Sequence, residues 1–152
     1  MTEVVNLYDV PLEADASDPD GYRCSMARVG PLVGASRLGL SLYELPPGQS
    51  ICPYHYEFGD EEWLLVLEGR PVLRTPEGED EVESGDVACF PAGEEGAHKV
   101  TNRTDGRVLV AMLSTKREPS VAMYPDSNKI GVWPPGKLFR LADSVDYWDG
   151  EA

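Results

Sequence analysis

The chain has 152 residues, 13 basic against 27 acidic, and a formal net charge of −14. That length suits one domain, spanning residues 1–152, with a core of its own; so acidic a surface repels phosphate backbones and anionic lipid and argues against nucleic-acid and membrane partners. No apolar run approaches the ~20 residues that span a bilayer, and Met1 to Val5 carries no basic-then-apolar leader pattern, so the chain is read as cytoplasmic.

Taken in order, the chain breaks into short β-prone runs between 13 prolines and 15 glycines. Leu38 to Leu45 is the first, followed by Trp63 to Leu67. Pro76-Glu77-Gly78 then separates Val72-Leu73-Arg74 from Glu81-Val82, and Ser84-Gly85-Asp86 introduces Val87 to Phe90. Asp105-Gly106 lies between Val100-Thr101-Asn102 and the run Val108 to Leu113, which reads as a hairpin. Val121 to Tyr124 follows, and a helical turn is expected near Ala142 to Tyr147. Many short strands at this spacing predict an all-β sandwich or barrel.

Trp63 to Leu67 and Val108 to Leu113 are apolar on both faces and need cover on both. The stretch up to about Arg28 can supply it, and so can a second copy of the chain, which makes a homodimer the expected assembly. Lys137 to Trp148 is too apolar for a solvated tail and is expected to pack on the barrel. Cys24, Cys52 and Cys89 are odd in number and form no CxxC, so they read as reduced thiols. Cys52 lies three residues from His55.

The chain has two histidines, His55 and His98. In an extended strand His55 and Glu57 share a face, and Glu62 follows at the head of the next strand. Two imidazoles and two carboxylates suit a hard-to-borderline divalent ion such as Mn, Fe or Zn.

These residues lie in two frames. One runs Gly48, six residues, His55-Tyr56-Glu57, four residues, Glu62, six residues, Gly69. The other runs Gly85, five residues, Pro91-Ala92-Gly93, four residues, His98, three residues, Asn102. Both resemble the paired motifs of the cupin superfamily, over roughly Leu38 to Thr115. The resemblance implies a jelly-roll barrel with its core at about 38–115 and the terminal segments packed on it. By position it implies one divalent metal ion held by His55, Glu57, Glu62 and His98. The frames depart from the family pattern in two loop lengths, where insertions are cheap. They also depart at Glu57, which stands where the pattern has a second histidine. Glu57 is therefore either a ligand or a hydrogen-bonding neighbour of one, and a candidate base.

The superfamily includes isomerases, dioxygenases, decarboxylases, lyases and storage and regulatory proteins, so fold alone fixes no reaction. Two functions follow. One is a metal-dependent enzyme acting on a small organic molecule; the other is a non-catalytic module that binds one, with or without metal. Arg, Lys or Tyr hydroxyls converging beside the metal position favour the first, and a pocket crowded by Tyr, Trp and Leu favours the second.

Overall fold

The computed structural model describes residues 2–151. Thirteen strands appear in it: β1 (Glu13–Ala14), β2 (Ser25–Arg28), β3 (Leu38–Leu45), β4 (Tyr56–Glu57), β5 (Glu62–Glu68), β6 (Val72–Thr75), β7 (Gly78–Glu81), β8 (Val87–Phe90), β9 (Lys99–Thr101), β10 (Val108–Thr115), β11 (Ser120–Tyr124), β12 (Lys129–Trp133) and β13 (Lys137–Arg140). One short helix, α1 (Val29–Leu32), follows β2. The strands form a six-stranded sheet in the order β1-β2-β3-β10-β5-β8, a four-stranded sheet β13-β12-β11-β4 and a three-stranded sheet β7-β6-β9. The predominantly β, jelly-roll architecture expected from the turn spacing is what the chain adopts. No helix among the described residues is long and apolar enough to cross a membrane.

β10 is the central strand. It pairs along its whole length with β3, from Val108 opposite Leu45 to Thr115 opposite Leu38, and on its other side with β5. Its alternation sorts two cores. Val108, Val110 and Met112 join Leu45, Leu64, Val66, Phe90 and Val100 inside the barrel. Leu109 and Ala111 point the other way and join Val29 and Leu42. Withdrawing side chains such as Leu45, Leu64 and Val110 from water contributes roughly 1.5–3 kcal/mol each. The second cluster is covered by Val5, Leu7, Val10 and Leu12, so the N-terminal segment does cover the outer face of the six-stranded sheet. That cover is incomplete toward β8, where Trp63 and Val87 remain exposed.

Two local readings change. β9 and β10 do not form a hairpin across Asp105-Gly106: β9 pairs with β6, while β10 pairs with β3 and β5. The Asn102 side chain holds this turn as a crossing between sheets. Its Nδ2 donates to the carbonyls of Leu45 (2.8 Å) and Gly106 (2.7 Å), and its Oδ1 accepts from the Thr104 amide and hydroxyl. At the C-terminus, residues 137–140 form a strand hydrogen-bonded to β12, and a single 3-10 turn covers Leu141–Asp143. Leu138, Phe139, Val145, Tyr147 and Trp148 stay exposed.

Candidate metal centre

The two histidines arrive by strand pairing. His55 and His98 sit directly opposite each other in an antiparallel bridge, with the His98 amide donating to the His55 carbonyl (2.8 Å) and the reverse bond at 3.2 Å. Their rings lie side by side, with centroids 4.7 Å apart. Phe90 stacks on His98 at 3.7 Å and Tyr124 on His55 at 5.8 Å, so both rings are clamped between aromatic walls. Glu62 opens β5 and pairs with Phe90 of β8 and Ser114 of β10. Strand alternation turns it to the same inner face as Leu64 and Val66.

Each imidazole is oriented by a backbone carbonyl. His98 Nδ1 lies 2.9 Å from the Gly96 oxygen and His55 Nδ1 lies 3.1 Å from the Pro53 oxygen. A carbonyl only accepts, so each Nδ1 carries its hydrogen, and each Nε2 is the atom turned toward Glu62. Glu62 Oε2 lies 3.4 Å from His55 Nε2 and 3.6 Å from His98 Nε2. Both Oε2 of Glu62 and Nε2 of His98 are buried with no hydrogen-bond partner. Leaving such groups bare costs about 1–3 kcal/mol each, more when charged. The donor atoms of His55, Glu62 and His98 all fall within 4.8 Å of one another. Metal–ligand bonds of about 2.0–2.2 Å set neighbouring ligand atoms roughly 3–3.5 Å apart, so this spacing and this donor set fit a divalent ion. A carbonyl-held Nδ1–H is also the usual support for a metal-binding imidazole.

Glu57, the fourth expected ligand, is not among these converging donors. Its Oε2 accepts a hydrogen bond from the Ser120 hydroxyl at 3.1 Å, and its backbone pairs with Ala122 of β11. Burial raises its pKa, reinforced by the Glu62 charge and only partly offset by Ser120 and His55. Burial also acts on Glu62, but His55, 3.4 Å away, and then His98 hold its pKa below the ordinary carboxylate value. For His55, burial opposes the charged form, and Cys52 and Glu62 outweigh it, so its pKa is raised. Burial and the neighbouring His55 charge push His98 down to about 4. Cys52 Sγ approaches His55 at Nδ1 (3.5 Å), on the side of the ring away from Glu62.

Sequence reasoning missed several contributors. Gly96 is one: a Cβ there would overlap the Pro91 carbonyl, so only glycine lets the loop fold close enough to aim its own oxygen at His98. Ser120 is another, and its distance of 63 residues from Glu57 gives no local signal. Asp60, buried beside the site's strand, accepts from the Thr115 hydroxyl at 2.8 Å. A groove of about 950 Å³ opens at this end of the barrel. It does not touch the three converging donors; among its lining residues Ser120 bonds to Glu57 and Ser114 is the strand partner of Glu62.

Comparison with known proteins bears on the fold. A cupin-domain family model matches residues 41–114. A sugar phosphate isomerase from a cupin superfamily, from Silicibacter pomeroyi DSS-3, superposes with a TM-score of 0.81 at 27% identity, over 96% of this chain and 98% of its own. A structure from Acidithiobacillus ferrooxidans, described provisionally as a sugar phosphate isomerase, gives a TM-score of 0.81 at 23% identity over 92% and 91% of the two chains, a likeness of fold. A polyketide cyclase from Streptomyces resistomycificus gives 0.64 at 26% identity over 79% and 84%. No curated protein sequence matches the chain.

Proposed function

The chain belongs to the cupin superfamily, and from that premise we propose that it is a metal-dependent enzyme catalysing proton transfer on a small hydroxy-carbonyl compound, with His55, Glu62 and His98 holding one divalent ion. The carrying observation is the pair of buried, unpartnered donor atoms, Glu62 Oε2 and His98 Nε2, facing each other across a gap of metal-site size. When bound, the ion supplies a Lewis acid that polarises a carbonyl or hydroxyl oxygen.

Glu57 is the proton carrier in this reading. Its raised pKa brings it nearer to neutrality, where a carboxylate both takes and returns a proton efficiently. Ser120 holds Oε2, so the proton moves through Oε1. Glu57 removes a proton from the hydroxyl-bearing carbon beside the carbonyl and returns it to the former carbonyl carbon, while the hydroxyl proton passes to the former carbonyl oxygen. The proton balance closes within the substrate, and no oxidant is needed. Phe90, Tyr124 and the inner apolar core keep water from the imidazoles. The groove supports catalysis over simple binding, since Ser120, Thr115, Lys116 and Arg117 line it. The Silicibacter pomeroyi and Streptomyces resistomycificus relatives, an isomerase and a cyclase by name, support an enzyme of this kind.

The same reading includes a homodimer, supported by the exposed Trp63 and Val87 on the outer face of the six-stranded sheet. Three free thiols support a reducing compartment such as the cytoplasm.

The test is metal content of protein purified without chelator, for the wild type and for His98→Ala, Glu62→Gln and Glu57→Gln. One ion per chain in the wild type is expected, lost in the first two variants and retained in Glu57→Gln. Incorporation of solvent deuterium into a panel of hydroxy-aldehydes and ketones should then fail in Glu57→Gln alone among metal-loaded proteins. Stoichiometric metal in His98→Ala sinks the centre, and loss of metal in Glu57→Gln makes Glu57 a ligand rather than the base.

A further inference from the structure

Strand alternation puts Ser120, Ala122 and Tyr124 of β11 on one face. That face is the inner one: Ser120 bonds to Glu57, and Ala122 is fully buried opposite Glu57 in the pairing with β4. Tyr124, next on this face, stacks on His55 with ring centroids 5.8 Å apart and planes 22° from parallel. Lys129 is its cross-strand partner and sets its ammonium 5.6 Å from the centre of the same ring. The two contacts fix the ring. The hydroxyl is not fixed in this way. It makes no hydrogen bond among the described residues, whereas the Tyr22 hydroxyl accepts one from Lys99 and the Ser120 hydroxyl is given to Glu57. The side chain is half-buried, and its oxygen is open rather than sealed in the core. Burial, then Cys52, Glu57 and Glu62 beside it, push the phenol up to about 12, so it carries its hydrogen at neutral pH. A tyrosine placed this deep ordinarily finds an acceptor for its O–H, and here the protein supplies none.

We infer that the Tyr124 hydroxyl donates a hydrogen bond to an oxygen of the bound hydroxy-carbonyl compound and selects for that oxygen. The inference rests on the proton-transfer reading above and adds to it a residue that touches the substrate. Loss of the carbon proton to Glu57 leaves negative charge on the oxygens of the substrate. A donor already aimed and held contributes most where such charge develops. Tyr124 meets that condition because its ring is fixed by His55 and Lys129 while its O–H stays unpaired.

The experiment is calorimetric titration of the full chain with acetohydroxamate, whose two adjacent oxygens mimic the deprotonated hydroxy-carbonyl group. Metal content and melting midpoint are measured on the same samples. The metal-loaded wild type is expected to bind the probe. Tyr124→Phe keeps the ring on His55 and removes an oxygen that bonds to nothing in the protein. It should weaken the probe about tenfold, the scale of one lost charge-assisted hydrogen bond, with metal content and melting midpoint unchanged. Tyr8→Phe, at an exposed tyrosine of the N-terminal segment, should change nothing. Equal affinity in Tyr124→Phe and wild type, or a metal-loaded wild type that binds no hydroxamate, overturns the assignment and leaves the metal centre standing. A melting midpoint lower by about 3 °C in Tyr124→Phe, the scale of one lost hydrogen bond in a chain this long, makes the hydroxyl structural and also overturns it. A metal-free wild type that binds the probe, and loses it in Tyr124→Phe, upholds the contact and removes the metal-centre reading; a metal-free wild type that binds none removes both.

Discussion

Asn102 is the place where one atom decides between two outcomes. The residue is fully buried and makes four hydrogen bonds, two as a donor to the Leu45 and Gly106 carbonyls and two as an acceptor from Thr104. Asn102→Ala removes all four. At about 1 kcal/mol net per bond the loss is roughly 4 kcal/mol, reduced to about 3 because the Thr104 hydroxyl has a second acceptor. That acceptor is the Gly106 oxygen at 3.4 Å. For a chain of this length about 3 kcal/mol corresponds to a fall of roughly 6–12 °C in melting midpoint. Asn102→Asp keeps the shape and both Thr104 bonds but turns a carboxylate oxygen onto two carbonyls. A buried charge without a partner costs roughly 3–5 kcal/mol, so at pH 8 the Asp variant should be the less stable of the two. Its folded-state pKa must then lie above the unfolded value of about 3.9, because protonation restores a donor to one carbonyl. For an acid shifted upward, stability is lost as pH rises from about 4 through the folded pKa. Thermal melts in EDTA from pH 5 to pH 8 should show the Asp variant declining against wild type and the Ala variant tracking it. An Asp variant that matches or exceeds Ala at pH 8, or an Ala variant within 1 °C of wild type, refutes the reasoning.

Other predictions follow from single observations. Gly69 holds φ +88, and a Cβ there would lie 2.7 Å from the Arg107 carbonyl oxygen, so Gly69→Ala should cost roughly 2–4 kcal/mol, read by urea unfolding; a cost under 1 kcal/mol would show that the backbone gives way. The metal-free chain should be most stable near pH 6.5, the ordinary imidazole value. His98, shifted down to about 4, contributes stability that is lost as pH falls below 6.5, and His55, shifted up, contributes stability that is lost as pH rises above it toward its folded value; a melting midpoint rising steadily from pH 5 to 9 would contradict this. Cys52→Ser should leave metal stoichiometry unchanged, because Pro53 still orients His55 and the sulfur lies on the far side of the ring; loss of the ion on substitution would make Cys52 a ligand.

The barrel was legible because its strands carry their own pattern. Leu38 to Leu45 and Val87 to Phe90 are strands with the bounds their composition implies. Asp105-Gly106 misled because a hairpin signal is local, whereas the pairing of β9 and β10 is decided by which sheet buries Val100 and which buries Val110, and by Asn102 bridging to Leu45 fifty-seven residues away. β2 and β13 were not legible. Ser25-Met26-Ala27-Arg28 has no alternation, and all four residues of β13 are exposed, so their state is set by a neighbouring strand's open edge. His55, Glu62 and His98 stood out as residue types in frames. Their orientation did not, since it depends on the Pro53 and Gly96 carbonyls, which every residue type carries.

The three-stranded sheet ends at β7, whose four residues, Gly78-Glu79-Asp80-Glu81, are all exposed. Its free edge offers unpaired amides and carbonyls, the ordinary template for strand-on-strand polymerisation. Three consecutive carboxylates make that template self-repelling, because an incoming copy brings the same three charges to the same line. Arg103 on Glu79 and Arg70 on Glu81 fasten the side chains without reversing the sign. This edge of the sheet is thereby steered away from pairing with the same edge of another copy.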